Sequence, residues 1–353
     1  LNILFTRLQN IGDTLNAIPA LRTLRCALPG ARITWLAKHA GGVEVIRKCP
    51  YIDDLLIVQN RSLKEKLRLL REFRRRRIGY FIISPQDLGR VPWAFLGGAQ
   101  KIVGYPRVYN YGRWQKEKLP RLLDISVKHD TTLTEVENCM KLVHDVLDDI
   151  GVRLPGDYSL ELEYSWYTDE DKAAADCILT ENGIDGQQPF VVSSPFSKRP
   201  AKNWPVDRLA ALFTRMQKEW HVPVVFLGGE AEKPAIEKLC RELPGNVVNT
   251  AGKTSLAQSA VIMERSAMFF GPDSGPAFLA AAVKTPAVVL YGPADFYRWR
   301  PPENPVPRIE VYHGVPCSPC RHQVCPKTPA CMDMITLDEV WDACSRVTGD
   351  LNE

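Results

Sequence analysis

The chain has 353 residues, 45% of them hydrophobic and 24% charged, with a formal net charge of +4. That length exceeds one ordinary core and suits two domains, and the composition excludes wholesale disorder. No apolar run reaches the roughly 18 residues a bilayer-spanning helix needs, and the N-terminus reads as a strand rather than a signal peptide.

Charge is unevenly spread. Residues 1–160 carry 26 Lys+Arg against 16 Asp+Glu, a balance of +10, and the rest carries 19 against 25, or −6. The first half is therefore suited to an anionic partner: nucleic acid, a membrane surface or an acidic glycan. No recognised nucleic-acid-binding motif supports the first of these.

In chain order, residues 2–6 read as a strand. A turn at 10–13 follows, then one helix over 14–26 with Leu15, Ile18, Leu21 and Leu24 at helical spacing. Strand 33–37, helix 42–48, strand 55–58, helix 62–75 and strand 80–84 come next. This alternation predicts βαβ units and a parallel sheet. Residues 105–130 hold Tyr105, Tyr109, Tyr111 and Trp114 among basic residues, lack periodicity, and read as a functional or mobile loop. Helix 133–150 closes the half, and 151–167, with Pro155 and Gly156, reads as an extended link.

The second half repeats the pattern: helix 169–182, strand 190–194, helix 206–220, strand 223–227, helix 235–242, strand 247–249 and helix 256–265. The stretch 269–293, FFGPDSGPAFLAAAVKTPAVVLYGP, is one strand–turn–helix–strand unit with its polar residues gathered at the turn. Such a turn lies at the carboxyl end of a strand and the amino end of a helix. Ligands of open α/β sheets bind there, and helix N–H groups attract phosphate. A strand over 308–312 and a helix over 337–347 complete the chain.

Several motifs fall away. Gly252-Lys253-Thr254 resembles the end of a phosphate-binding P-loop, but the required glycine five positions earlier is Val247. No strand-linked G-x-G-x-x-G occurs. Asp169-Glu170-Asp171 suits either a metal–nucleotide grip or the start of a helix, where acids favour the dipole. Asp13 follows the first strand and precedes a helix, so it is either a general base facing a ligand or a helix cap. Ser197 to Trp204, SKRPAKNW, places Lys198, Arg199 and Lys202 after a strand. There they either balance a diphosphate or form a solvated basic loop. Asp273 and Ser274 can equally cap the helix that follows them.

Two further features carry chemistry. The segment 61–77, RSLKEKLRLLREFRRRR, has nine basic and two acidic residues, with Leu63, Leu67, Leu70 and Phe73 at helical spacing. It reads as an amphipathic surface helix or as a dock for anionic lipid. Cys317-x2-Cys320-x4-Cys325-x5-Cys331 could hold a structural zinc or an iron–sulfur centre, form two disulfides, or stay reduced.

Together these stretches resemble glycosyltransferase family 9, the lipopolysaccharide heptosyltransferases. The resemblance runs in order through ILFTRLQNIGDTLNAIPALRTLRCALPGARITWLA, SSPFSKRPAKNWPVDRLAAL, VVNTAGKTSLAQ, GPDSGPAFLAAAVKTPAVVLYGP and CSPCRHQVCPKTPACMDMITLDEV. It implies an α/β GT-B architecture: two Rossmann-like parallel-sheet domains facing across a cleft. The acceptor domain would span 1–160 and the nucleotide-sugar domain 161–335, with a helix in 336–353 returning to the first. The resemblance further implies inverting, metal-independent transfer of heptose from ADP-heptose to Kdo or heptose of the lipopolysaccharide inner core. The enzyme would be cytoplasmic, and peripheral on the inner membrane if the basic segment docks there.

Carried over by position, Asp13 is the general base and Lys202 the donor-phosphate lysine, with Lys198 beside it. Asp273 lies at the donor sugar and diphosphate. Ser274 and Gly275 offer N–H groups to the phosphates, and Gly252, Thr254 and Leu256 line the base pocket. One departure stands out: the family pattern Asp-Ser-Gly-Pro-x-His has Phe278 in place of His. Another donor, lowered activity, or compensation by Lys198 or Arg199 would each follow from it.

Overall fold

The computed structural model describes residues 1–349 apart from 9, 39, 86, 111–112, 155, 157 and 185–187. Tyr111 and Pro155 lie outside the described residues. The chain divides into two units: Leu1–Glu163 with Tyr297–Pro302, and Tyr164–Phe296 with Glu303–Glu353. The first boundary falls three residues beyond the expected 160.

The first unit runs β1 (Asn2–Thr6), α1 (Ile11–Leu15), α2 (Ile18–Ala27), β2 (Arg32–Ala37), α3 (Ala40–Ile46), β3 (Asp54–Ile57) and α4 (Leu63–Arg76). It continues β4 (Tyr80–Ile83), α5 (Val91–Leu96), β5 (Lys101–Gly104), β6 (Arg107–Asn110), β7 (Arg113–Lys116), β8 (Ile125–Ser126) and α6 (Glu135–Ile150). Its six-stranded sheet has the order β3-β2-β1-β4-β5-β8, parallel throughout. Parallel strands are covered on both faces and so read as unbroken apolar runs; ILF and YFII are such runs. Leu4, Leu36, Leu69, Phe73 and Phe81 share one core between the sheet and α4.

The helix expected over 14–26 is two helices. Pro19 sits in the first turn of α2. It has no N–H to donate, so a helix running through it would lose a bond, whereas a new first turn does not. Residues 105–130 are more ordered than their aperiodicity suggested. They form the antiparallel hairpin β6–β7, the turn Pro120–Leu122 and the sixth strand, β8.

The second unit runs α7 (Asp169–Glu181), β9 (Val191–Ser193), α8 (Val206–Glu219), β10 (Val224–Phe226), α9 (Lys233–Glu242), β11 (Val247–Asn249) and α10 (Leu256–Arg265). Then come β12 (Met268–Pro272), α11 (Gly275–Ala282), β13 (Ala287–Tyr291), α12 (Phe296–Trp299), β14 (Arg308–Tyr312) and α13 (Leu337–Thr348). Tyr297, the second residue of α12, begins the six-residue segment that belongs to the first unit. The second sheet, β11-β10-β9-β12-β13-β14, is also all-parallel. Both sheets reverse strand order beside their first strand, the arrangement of dinucleotide-binding folds.

The last helix departs from expectation. α13 buries Val340, Ala343, Cys344 and Val347 in the second unit's own core, alongside Trp204, Phe213 and Phe270. Trp341 stacks on Trp220 at 4.6 Å. An apolar stripe already matched by α8 and the sheet has no reason to leave them. The residues that join the first unit are Tyr297–Pro302 instead. Among the described residues, no helix is long and apolar enough to cross a membrane.

Candidate active site

In an open parallel sheet, the strand order reverses at one point, and the loops leaving the two strands there diverge to leave a crevice. In the first unit those strands are β1 and β4. The loop after β1 brings Arg7, Leu8 and Asp13, and the loop after β4 brings Asp87. The Asp87 carboxylate accepts the Leu8 N–H at 3.0 Å, tying the loops together. Burial pushes the Asp87 carboxyl up, against the opposing charges of Arg7 and Arg90.

Asp13 is the third residue of α1, not its cap. The N-cap is Asn10, and Asp13 Oδ2 accepts the Asn10 N–H at 3.2 Å. Arg7, fully buried, fixes the same loop: its Nε donates to the Asp13 carbonyl at 2.8 Å, and Nη2 lies 3.5 Å from Asp13 Oδ1. Asp13 thus has a capping role and remains partly exposed, with a side-chain exposure of 19%.

Behind Arg7 lies a buried charge cluster. Glu135 Oε1 accepts from Arg7 Nη1 at 2.8 Å, and Glu135 Oε2 accepts from Arg298 Nη2 at 2.8 Å and Nε at 3.0 Å. Arg298 also donates to the Tyr109 carbonyl. Burial alone would raise the Glu135 carboxyl, but the charges of Arg298 and Arg7 outweigh it and hold the group below the usual carboxylate range. Arg7, Asp87, Glu135 and Arg298 were not singled out from the sequence. Nothing local in the sequence marks the pairing of Glu135 with residues 128 and 163 positions away.

In the second unit the order reverses between β9 and β12. The loop after β9 carries Lys202, and β12 ends beside Asp273. Lys202 Nζ donates to Asp273 Oδ2 at 2.6 Å and to the Asp273 carbonyl at 2.8 Å. Asp273 is 3% exposed. Ser274 is the extended N-cap of α11, Gly275 its first residue, and Pro276 follows in the first turn. Ser274 Oγ is buried with no hydrogen-bond partner among the described residues. The result is a cation, a carboxylate, a hydroxyl and a helix start gathered at one sheet edge.

The remaining candidates divide. Lys198 is exposed and makes no salt bridge among the described residues. Arg199 donates to the Cys320 and His322 carbonyls at 2.6 and 2.9 Å, so its guanidinium holds the cysteine loop. Gly252, Thr254 and Leu256 follow β11, up to the start of α10. Gly252 has φ +72°, and a Cβ there would lie 2.2 Å from a Glu230 carboxylate oxygen. Thr254 Oγ1 is 2.9 Å from Ser259 Oγ. Leu256 opens α10.

Cys317, Cys320, Cys325 and Cys331 line one cavity of about 270 Å³. Burial raises the Cys331 thiol, and the other three thiols add to the effect. Among the described residues, however, no three His, Cys, Asp or Glu side chains converge as a metal's ligands would.

The family model of glycosyltransferase family 9 (heptosyltransferase) matches residues 109–330. The chain belongs to this family. Lipopolysaccharide heptosyltransferase 3 of Escherichia coli K12 is 23% identical over 320 residues, covering 82% of each chain. Family 9 chains of known structure share the fold. A glycosyltransferase from Veillonella parvula has a TM-score of 0.78 at 19% identity, covering 98% of this chain and 97% of its own. The E. coli ADP-heptose lipopolysaccharide heptosyltransferase II has 0.76 at 20%, covering both chains fully. The chain is thus a heptosyltransferase-like glycosyltransferase of the GT-B class.

Within this family 9 chain, Phe278 is 5% exposed, a buried residue of α11. No imidazole is available from that position, and Arg199 is committed to the cysteine loop. Lys202 bonds to Asp273 through both the aspartate's side chain and its carbonyl.

Proposed function

We propose that this chain transfers a heptose from ADP-heptose to a Kdo or heptose hydroxyl of the lipopolysaccharide inner core, with inversion and without a catalytic metal. The observation that carries this reading is the Lys202–Asp273 pair at the reversal point of the second sheet, beside the Ser274 helix start. Its counterpart is Asp13 at the same topological position in the first unit. The relatives' ADP-heptose chemistry agrees with it.

In this reading Asp13 takes the proton of the acceptor hydroxyl as that oxygen bonds to the anomeric carbon. The bond from that carbon to the diphosphate oxygen breaks on the opposite face, and ADP leaves with the bonding pair. Lys202 and the N–H groups at Ser274 and Gly275 offset the growing negative charge. Gly252, Thr254 and Leu256 border the adenine. The +10 first unit receives the anionic acceptor, not nucleic acid. The enzyme works at the cytoplasmic face of the inner membrane, with α4 against anionic headgroups.

A second reading is favoured by Phe278: a family 9 protein with another donor or acceptor, or one that binds a sugar nucleotide with little turnover. Incubation with ADP-heptose and deacylated inner-core acceptor separates the two. ADP release with a product one heptose heavier supports transfer. Binding of ADP-heptose without product, or turnover only with a different sugar nucleotide, overturns the first reading in favour of the second.

A further inference from the structure

Sugar transfer as proposed leaves a line of buried charges in the first unit without a task. Arg298, Glu135 and Arg7 are 4%, 1% and 0% exposed. They link in that order, since Glu135 accepts from Arg298 through one carboxylate oxygen and from Arg7 through the other. The line ends at Asp13, the partly exposed carboxylate at the sheet edge, 3.5 Å from Arg7 Nη2. Cations and carboxylates alternate along it, two of each, so the set balances. Cys139, 3.8 Å from Arg7 Nη1, leaves that balance alone, because burial pushes its thiol up to about 12 and keeps it neutral.

The surrounding groups leave it intact as well. On the side of the loop after β4, Asp87 faces both Arg7 and Arg90. Tyr105 and His129 face Arg298 and Glu135; burial raises the first and lowers the second, so both rings are neutral near pH 7. Beyond them, Asp145 acts on Tyr105, and Lys141 and Asp130 act on His129.

A buried ion set is weakly explained by stability, because well-packed apolar residues of the same volume often serve as well. The geometry suggests another use. Between buried groups, charges act over several ångströms with little screening. Asp13 Oδ1 faces Arg7, Oδ2 accepts the Asn10 N–H, and Arg7 Nε donates to the Asp13 carbonyl. Arg7 is fixed by Glu135, and Glu135 by the two-nitrogen grip of Arg298. Arg298 arrives on the Tyr297–Pro302 segment and also donates to the Tyr109 carbonyl of β6.

We propose that Arg298 is a positioning residue for Asp13: acting through Glu135 and Arg7, it keeps the charge set balanced, so that the residue 13 carboxylate stays ionised and fixed in direction. The inference rests on the reading of Asp13 as the general base. Without Arg298 the set becomes net negative, which opposes ionisation of Asp13; without Glu135 it becomes net positive, which favours it.

The Asp13 carboxyl can be titrated directly by NMR on the full chain with isotope-labelled aspartate, its resonance being the one that Asp13→Asn removes. In parallel, kcat and KM are followed against pH with ADP-heptose and deacylated inner-core acceptor. Arg298→Met should raise the Asp13 titration by about half a pH unit or more and move the acid limb of kcat with it. It should lower kcat by roughly 10-fold while KM for ADP-heptose changes little. Arg298→Lys, which restores the charge, should reverse most of the titration shift. Arg298→Met combined with Glu135→Gln removes one charge of each sign and should return the titration to the wild-type value. Glu135→Gln alone should move it downwards. A brace without electrostatic reach would not give opposed shifts, since each substitution only removes bonds. An unmoved titration in Arg298→Met, or shifts of the same sign in Arg298→Met and Glu135→Gln, overturns the assignment. Should Arg298→Met not fold, an unmoved or raised titration in Glu135→Gln overturns it equally. If the titration moves as expected and the acid limb of kcat does not follow, the role of Arg298 stands and the base reading of Asp13 fails.

Discussion

Arg7 and Glu135, 128 residues apart in sequence, meet at 2.8 Å with side-chain exposures of 0% and 1%. The same Arg7 reaches forward to Asp13, and the same Glu135 reaches back to Arg298. The loop that presents the proposed base therefore rests on a buried carboxylate shared by two guanidinium groups.

Removing that carboxylate should be costly. Glu135→Ala takes the shared carboxylate away from two buried cations, Arg7 and Arg298, and breaking such a pair costs about 3–5 kcal/mol. A lower midpoint in urea unfolding is the expected result. Adding Arg298→Met should recover part of the loss, because one stranded charge goes with it. The pH sign follows from the depressed carboxyl of Glu135. Its contribution is present above the ordinary carboxylate pKa and disappears as pH falls through the folded value. Glu135→Gln should therefore flatten the acid limb of the stability profile. An unchanged midpoint in Glu135→Ala would show that the cluster carries no stability.

Asp13→Asn should reduce turnover by about 10²–10⁴-fold, the usual share of general-base catalysis, while ADP binding stays the same. The main-chain bond from Arg7 to the residue 13 carbonyl does not depend on the side chain, so the loop should persist. Near-normal transfer by this variant would end the base assignment.

Lys202→Ala removes the partner of a carboxylate that is only 4% exposed in its side chain. If Lys202 also meets the donor diphosphate, ADP affinity should fall by about 10- to 100-fold, the equivalent of one charge-assisted hydrogen bond. Calorimetry with ADP and with adenosine separates phosphate recognition from base recognition: the first should weaken and the second should not. Equal weakening of both would point to collapse of the loop instead.

His129 supplies a separate pH test. Its ring lies edge-on to Tyr105 at 5.5 Å and Trp114 at 6.1 Å. Neither ring nitrogen has a hydrogen-bond partner among the described residues. Burial, then the charge of Arg298, pushes its pKa down to about 4 from 6.5, partly offset by Glu135. The fold therefore favours the neutral ring. Stability should be fully present above pH 6.5 and decline as pH falls towards 4, by roughly 1–3 kcal/mol. His129→Phe should remove that part of the decline. A variant with the wild-type profile over this window would refute the assignment.

The residue order by itself determined the fold class and most of the second unit. Apolar runs such as FVV, PVVF and AVVLY, punctuated by Gly and Pro, admit little besides buried parallel strands between helices. It also marked Asp13, Lys202, Asp273 and Ser274, because strand ends followed by helix starts are visible locally. Only the tertiary structure decided which strands lie beside the point where sheet order reverses, and so which loops share a site. It showed that Lys202 bonds to Asp273 while Arg199 turns to the cysteine loop, and that α13 stays with the second unit while Tyr297–Pro302 joins the first. Periodicity records whether a face is apolar, not which surface will cover it. Pairings such as Arg7 with Glu135, and Glu135 with Arg298, exist only once distant segments have been packed together and water excluded from between them.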